Sequence, residues 1–498
     1  MSESNQNLQQ TAYDNRFIIL GIVLMGILMS VLDGYMVSIA LPTITSQLHV
    51  NVTESQWIVS GYLVVMTGLF IFFGKISEFI GKTKLFFIGW LIFTISSLAC
   101  GVSTGITELI LFRLIQALGA SMVAGVSGAI LFHTFPPNEI GRAMGYFGAV
   151  VALGSLIGPG LGGFITSSFG WEYIFLINVP IGIFLLISAI KFMKIPEIIE
   201  KHVEIDWLGA GLFVVSIVSL MLLCGEIAQN ITFNGLWVLY GLIFAIGILA
   251  FIFQEKRSKN PMLDIKIFKN KKFTLPILSA LFLAISVNMA IFIGPFYFQG
   301  VMGYNPLKVG LLFMFVPLSM MFAAPLGGKL YDKYHWKYAA SVGAFIAAIA
   351  FALLAYAYWI ENLSLIAVSF LLWGLGYGLF SSPNTTEAMI ALPREKTAIA
   401  SSVATTARSL GGALGVSLAT VLLVIGLNTT NFNGSIIFTS SLALTNSIAV
   451  IMVVSGFLGL ITTLTSALRN TGSVDELNIQ KQETDISLEL SKEKGLDD

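Results

Sequence analysis

Three ionisable side chains stand where a chain this apolar should avoid them. Asp33 lies in "SVLDGYMVSIALP", Arg113 in "LILFRLIQALGA" and Arg408 in "ATTARSLGGALG", each inside a long hydrophobic run. A charge at mid-membrane costs roughly 3 kcal/mol or more, so such residues are functional candidates by default. The chemistry on offer is proton exchange. A carboxylate holds its proton in a dry interior and releases it beside a cation or water. Asp33 is the candidate proton carrier and Arg113 its partner, and together they could couple proton binding to substrate binding. Gln116, one turn beyond Arg113, and Arg408 are candidates for contacting substrate or for tying helices together. The plainer alternative for Asp33 and Arg113 is an ion pair that merely neutralises itself, and such buried pairs add little stability.

Catalytic chemistry has no comparable foothold. The four histidines, His49, His133, His202 and His335, are scattered, and Cys100 and Cys224 lie singly in apolar stretches. Neither set has metal-ligand or nucleophile spacing. An enzyme is therefore not expected, nor are a cofactor, a metal or a nucleic-acid partner.

The elements that must position these residues follow from composition. Hydrophobic residues make up 56% of the chain and charged residues 11%, with mean hydropathy +0.86. Soluble domains carry roughly a quarter charged residues, so this is an all-α integral membrane protein. Stretches of about 20 apolar residues, enough to span a bilayer, occur near 17–40, 56–73, 85–102, 107–131, 143–165, 173–193, 207–225, 236–253, 273–296, 308–327, 339–358, 363–385, 398–425 and 444–468. Those fourteen spans put every Lys and Arg except Arg113, Lys308 and Arg408 in loops, tails or span ends on one side. Cytoplasmic loops are the basic ones, so both termini are expected in the cytoplasm. Asp33 falls about 24 Å from the start of the first span, at 1.5 Å per residue. Arg113 enters about 9 Å from the opposite surface, at a similar depth.

The chain also repeats. Gly74, Lys75 and Glu78 in "GKISEFIGKTK" match Gly328, Lys329 and Asp332 in "GKLYDKYHWK" at an offset of 254, and Ser155, Leu156 and Gly158 match Ser409, Leu410 and Gly412 at the same offset. The expected organisation is a cytoplasmic tail (1–16), a six-helix bundle (17–194), an inserted two-helix hairpin (206–254), a second six-helix bundle (273–468) and a polar cytoplasmic tail (469–498). Paired repeats with a site at their interface are a transporter architecture.

The fifth span contains "ALGSLIGPGLGG". Gly154, Gly158 and Gly162 recur every four residues and form one ridge, which permits close helix approach in a membrane. Gly163 adjoins it, and Pro159 favours a bend. The ridge is expected to pack against the other bundle as a hinge and seal.

These stretches resemble the fourteen-spanner drug:proton antiporter family of the major facilitator superfamily. The resemblance runs over residues 17 to about 468, through "LDGYMVSIALP", "GKISEFIGKTK", "RLIQALGA", "GSLIGPGLGG", "FLINVPIGI", "DWLGA" and "PMLDIKIFKNKKF" in family order. It implies alternating access by two bundles, with export driven by inward proton flow. It also implies that Asp33 and Arg113 take part in coupling. By the same resemblance Gly74, Glu78, Gly81 and Lys82 form a conformational switch loop, repeated at Gly328 and Asp332. The chain departs from the family pattern at Phe79, where a base is usual, at Ala117 for a glycine, and at Glu172 for an arginine. The expected partners are protons, the bilayer of a prokaryotic cell membrane and a small amphipathic or lipophilic substrate, handled by a monomer. Met25, Met29, Met314, Met320 and Met321 are candidate path-lining residues, with helix packing or lipid contact as the alternative. An exporter of a metabolite, lipid or peptide, or a proton symporter, remains open.

Overall fold

Hydrocarbon offers no partner for backbone N–H and C=O groups, so apolar runs of this length must close their hydrogen bonds within helices. The computed structural model describes residues 13–136, 139–193, 195, 206–229, 233–258, 265–332, 336, 338–392, 397–428 and 441–469. The first six helices are α1 (Arg16–Gln47), α2 (Val52–Ile80), α3 (Lys82–Gly101), α4 (Ile106–Thr134), α5 (Ile140–Ser168) and α6 (Tyr173–Phe192). Two more, α7 (Trp207–Gln229) and α8 (Gly235–Arg257), precede the last six. Those are α9 (Lys271–Val301), α10 (Pro306–Tyr331), α11 (Ala339–Trp359), α12 (Leu363–Ile390), α13 (Thr397–Asn428) and α14 (Ser441–Ala467). Thirteen of these are long and apolar enough to span a membrane, and α2 completes fourteen as two pieces bent by 52° between Phe70 and Phe72.

Asparagine sets several starts. The side chains of Asn234, Asn270, Asn305 and Asn362 accept from the N–H groups of Trp237, Lys272, Lys308 and Leu365. Each such cap stabilises a helix by about 1 kcal/mol.

The helices pack in two groups. In the first, α1 lies on α5, α2 and α3 on α4, and α3 on α6; in the second, α12 holds α10 and α11, while α9 and α14 meet each other and flank α13 and α11 respectively. The groups meet along α2 with α13 and α5 with α10, and α7 rests against α2 and α13. Of α8's apolar window only 11% is buried, so it forms the outer layer.

The stretch Gly74–Lys84, expected as a loop, is almost entirely helical. Glu, Lys and Ile are adequate helix formers, so α2 runs on through Glu78 to Ile80 and α3 starts at Lys82. Gly81 alone joins them, at φ 101° and ψ 138°. A side chain there would be strained by about 1–3 kcal/mol. Gly81→Ala is expected to lower stability by that amount, measured as a shifted thermal midpoint in detergent, with no change in substrate affinity.

Gly125 allows a close approach of α4 to α2, since a Cβ on it would lie 3.1 Å from the Gly74 nitrogen. The second half makes the corresponding approach, with the backbone of Leu379 in α12 about 3 Å from a Cβ on Gly327 of α10. Gly328 faces Ser382, and Asp332 ends the helix with its side chain outside the described residues.

Candidate functional site: a buried ion pair and an aromatic cavity

Four helices of the first group converge on Asp33. Arg113 and Gln116 are three residues apart on α4 and so share a face. The Arg113 Nη1 donates to Asp33 Oδ2 at 2.6 Å and to Gln116 Oε1 at 2.5 Å. Its Nε reaches the Ile58 carbonyl on α2 at 3.3 Å. The other Asp33 oxygen accepts from Asn178 Nδ2 on α6 at 3.0 Å and from Gln116 Nε2 at 3.4 Å. That amide also donates to Ser97 on α3 at 2.7 Å. The Tyr62 ring lies under the guanidinium, 4.3 Å from its centre.

Asp33 is 0% and Arg113 1% exposed. Both charges are therefore removed from water and compensated by each other and by neutral dipoles, the condition under which a buried pair is tolerated. One acceptor is left over: Asn178 Oδ1 has no hydrogen-bond partner among the described residues. A protonated Asp33 becomes a donor, and this oxygen is an acceptor on a side chain already bonded to it. Asn178, Ser97 and Tyr62 were not legible as site residues. The signal for Asn178 was an amide in the apolar stretch "FLINVPIGI".

The two helix groups enclose a cavity of about 200 Å³, bordered by Tyr35, Phe313, Met320, Trp373 and Tyr377 among others. Of the five candidate methionines, Met320 borders this cavity. Met29 is buried in helix packing, while Met25 and Met321 are exposed on the outer surface.

The glycine patch lies inside α5, but its ridge does not face the other group as expected. A Cβ on Gly154 would lie 2.9 Å from Val31, on Gly158 2.8 Å from Tyr35, and on Gly162 2.6 Å from the Met36 backbone. All three partners are on α1 of the same group. The neighbouring face makes the cross-group contact: a Cβ on Gly163 would collide with the Pro306 carbonyl and lie 3.0 Å from Leu307 Cα, one on Gly160 would meet Met314, and one on Gly310 of α10 would meet the Pro159 carbonyl. The 100° turn per residue puts these two faces on one helix, so the patch serves both packings.

A polar contact adds to this junction. Gln299, in the π-helical turn Tyr297–Val301 that ends α9, accepts from Thr43 and donates to the Ile39 carbonyl of α1, both at 3.0 Å. Thr43 and Gln299 border a second cavity with Ser46. Gln299→Leu removes both bonds, worth about 1 kcal/mol each. The expected result is roughly thirtyfold faster thiol labelling of a cysteine placed at Ser46.

The remaining candidates lie apart from Asp33. Arg408 bonds Thr405 of its own helix at 3.1 Å rather than a second helix, and it forms no ion pair among the described residues. Glu78 and Lys82 flank the α2–α3 junction, with Glu78 exposed. Near the end of α12, Glu387 is 5% exposed and bonded to Arg469, which also contacts Ser466. Arg469, placed by its sequence at the start of the polar tail, thus belongs to the second helix group.

The Major Facilitator Superfamily profile matches residues 23–204 and 207–416. The riboflavin transporter RibZ of Clostridioides difficile (strain 630) is 33% identical over 402 residues, which are 81% of this chain and 87% of that one. The multidrug transporter protein MdtP of Bacillus subtilis (strain 168) is 30% identical over 392 residues, 78% of this chain and 72% of its own. A crystal structure of a bacterial homologue of the human lysosomal transporter Spinster, inward-facing, superimposes with TM-score 0.65 at 16% identity. It covers 91% of this chain and 96% of the other, and shows the shared fold. With fourteen spans, a site buried between them and relatives that are transporters rather than enzymes, the chain is a multi-pass cell-membrane protein of the Major Facilitator Superfamily.

Proposed function

We propose that this transporter is a proton-coupled exporter of amphipathic or lipophilic compounds, exchanging them for protons by alternating access. The Asp33–Arg113 pair carries the reading. It places a titratable carboxylate, wholly buried and bonded by three side chains, at the centre of the first group. Protonation would release Arg113 from Asp33, and the proton would then have Asn178 within reach. That couples a proton to a rearrangement of α1 against α4 and α6.

The remaining parts have assigned roles in this reading. The Lys- and Arg-rich loops and both termini face the cytoplasm. The α5–α10 contact around Pro159 and Gly163 closes the outer side, while the stretch from Gly74 to Lys82 and its repeat at Gly328 and Asp332 flex at the inner side. The protein works as a monomer. Relatives named for multidrug transport support a broad substrate range. RibZ supports a second reading, a carrier for a metabolite of the riboflavin kind.

Reconstitution in vesicles with an imposed pH gradient tests the proposal. Proton flux opposite in direction to cargo is the expected result, and proton flux in the same direction excludes exchange.

A further inference from the structure

The cavity between the helix groups has a definite chemical character. Tyr35, Phe313, Trp373 and Tyr377 border it, and none of its lining residues is ionised at neutral pH. We infer that it takes an uncharged, planar heteroaromatic molecule, stacked against these rings, and rejects lipophilic cations. This rests on the reading above that the chain exports amphipathic or lipophilic compounds, and adds that they bind in this cavity.

Charge is the first argument. The carboxylate nearest in sequence to the lining is Asp33, two residues before Tyr35. Residues two apart on a helix do not face each other, and both Asp33 oxygens are already bonded to Arg113, Gln116 and Asn178. Asp33 and Arg113 cancel, which leaves Arg408 as the uncompensated charge deep in the described spans, about 16 Å into α13. The lining therefore offers a bound cation no counter-charge. Aromatic faces do attract cations, but an unpaired cation here would lose its hydration without a counter-charge, which is the larger effect.

Shape and hydrogen bonding make the second argument. Phe370 holds Phe313 and Trp373 in place, at ring distances of 5.1 and 5.9 Å, and Phe351 braces Trp373 from behind at 5.3 Å. A preformed aromatic wall favours offset stacking of a flat ring system. Neither the Tyr35 nor the Tyr377 hydroxyl has a hydrogen-bond partner among the described residues. Both remain free to bond a ring nitrogen or carbonyl. A hydrocarbon ring would leave them unanswered, so the heteroatoms matter.

Two tricyclic probes of similar size separate the charge classes: lumiflavin, which is uncharged, and N-methylacridinium, which carries a fixed positive charge. Both are titrated against the full-length protein in nanodiscs, following quenching of probe fluorescence. Lumiflavin is expected to bind at least about tenfold more tightly, and Trp373→Ala to weaken it by about tenfold. Tyr377→Phe keeps the ring and should weaken it about threefold. Met320→Glu adds a carboxylate to the lining and should shift preference towards N-methylacridinium. Tighter binding of N-methylacridinium by the unaltered protein overturns the inference, as does lumiflavin binding that ignores both Trp373→Ala and Tyr377→Phe. If Trp373→Ala fails to fold, Tyr377→Phe and Met320→Glu decide. Proton-driven transport of N-methylacridinium without lumiflavin binding overturns this inference but leaves the exporter reading standing. Lumiflavin binding without any proton-linked transport does the reverse.

Discussion

Asp33→Asn is expected to abolish accumulation of cargo against its gradient when a pH difference is the driving force, while leaving downhill exchange in place. Asparagine keeps the shape of the side chain and can still accept from Asn178, but it cannot take up or release a proton. The substitution also leaves Arg113 as an uncompensated buried cation, which costs about 3–5 kcal/mol. Loss of fold could then imitate loss of coupling. The double variant Asp33→Asn with Arg113→Gln separates the two, because it removes both charges at once. It should recover much of the thermal stability and none of the coupling. A double variant that still concentrates cargo with the original pH dependence would show the pair to be structural.

Gly163→Leu is expected to stop turnover in a folded protein. A side chain at Gly163 collides with the Pro306 carbonyl and the start of α10, which belongs to the opposite helix group. Backbone cannot retreat as a flexible side chain can, so the α5–α10 contact must open. Cysteine labelling at Ser46 from outside should rise to completion, while the thermal midpoint falls little. Gly158→Leu should behave differently, since its partner Tyr35 is in the same group. There the cost is overpacking inside a bundle, typically 1–3 kcal/mol, read as lower expression and stability. Equal effects of the two variants on labelling would remove the distinction between ridge and seal.

The pairing of Asp33 with Arg113 was legible because charge in an apolar run is conspicuous and helical rise converts position to depth. The placement of the glycine patch inside α5 was legible for a similar reason: the spacing of spans leaves no loop there. Which face of the patch meets which helix was not. Periodicity defines a ridge, but its partner is a tertiary fact, and two faces a single residue apart look alike in one dimension. Asn178 is not legible in the sequence because a neutral amide carries no charge to mark it in an apolar run. Glu387 and Arg469 are 82 residues apart, and nothing local to either announces the other. The stretch after the second span reads as a loop by its polar residues, although most of them are competent in a helix.

The isolation of Asp33 has a consequence for energetics. It is the one acid at mid-depth among the described spans, so the proposed exchange would move one proton per cycle. Exchanging that proton for an uncharged molecule would carry one net positive charge inward per turn. Membrane voltage then does work on the cycle, about 2.3 kcal/mol per 100 mV. Such a pump is electrogenic: it would keep expelling cargo when the pH is equal on both sides, drawing on the potential alone, whereas one exchanging a monovalent cation for a proton would stall.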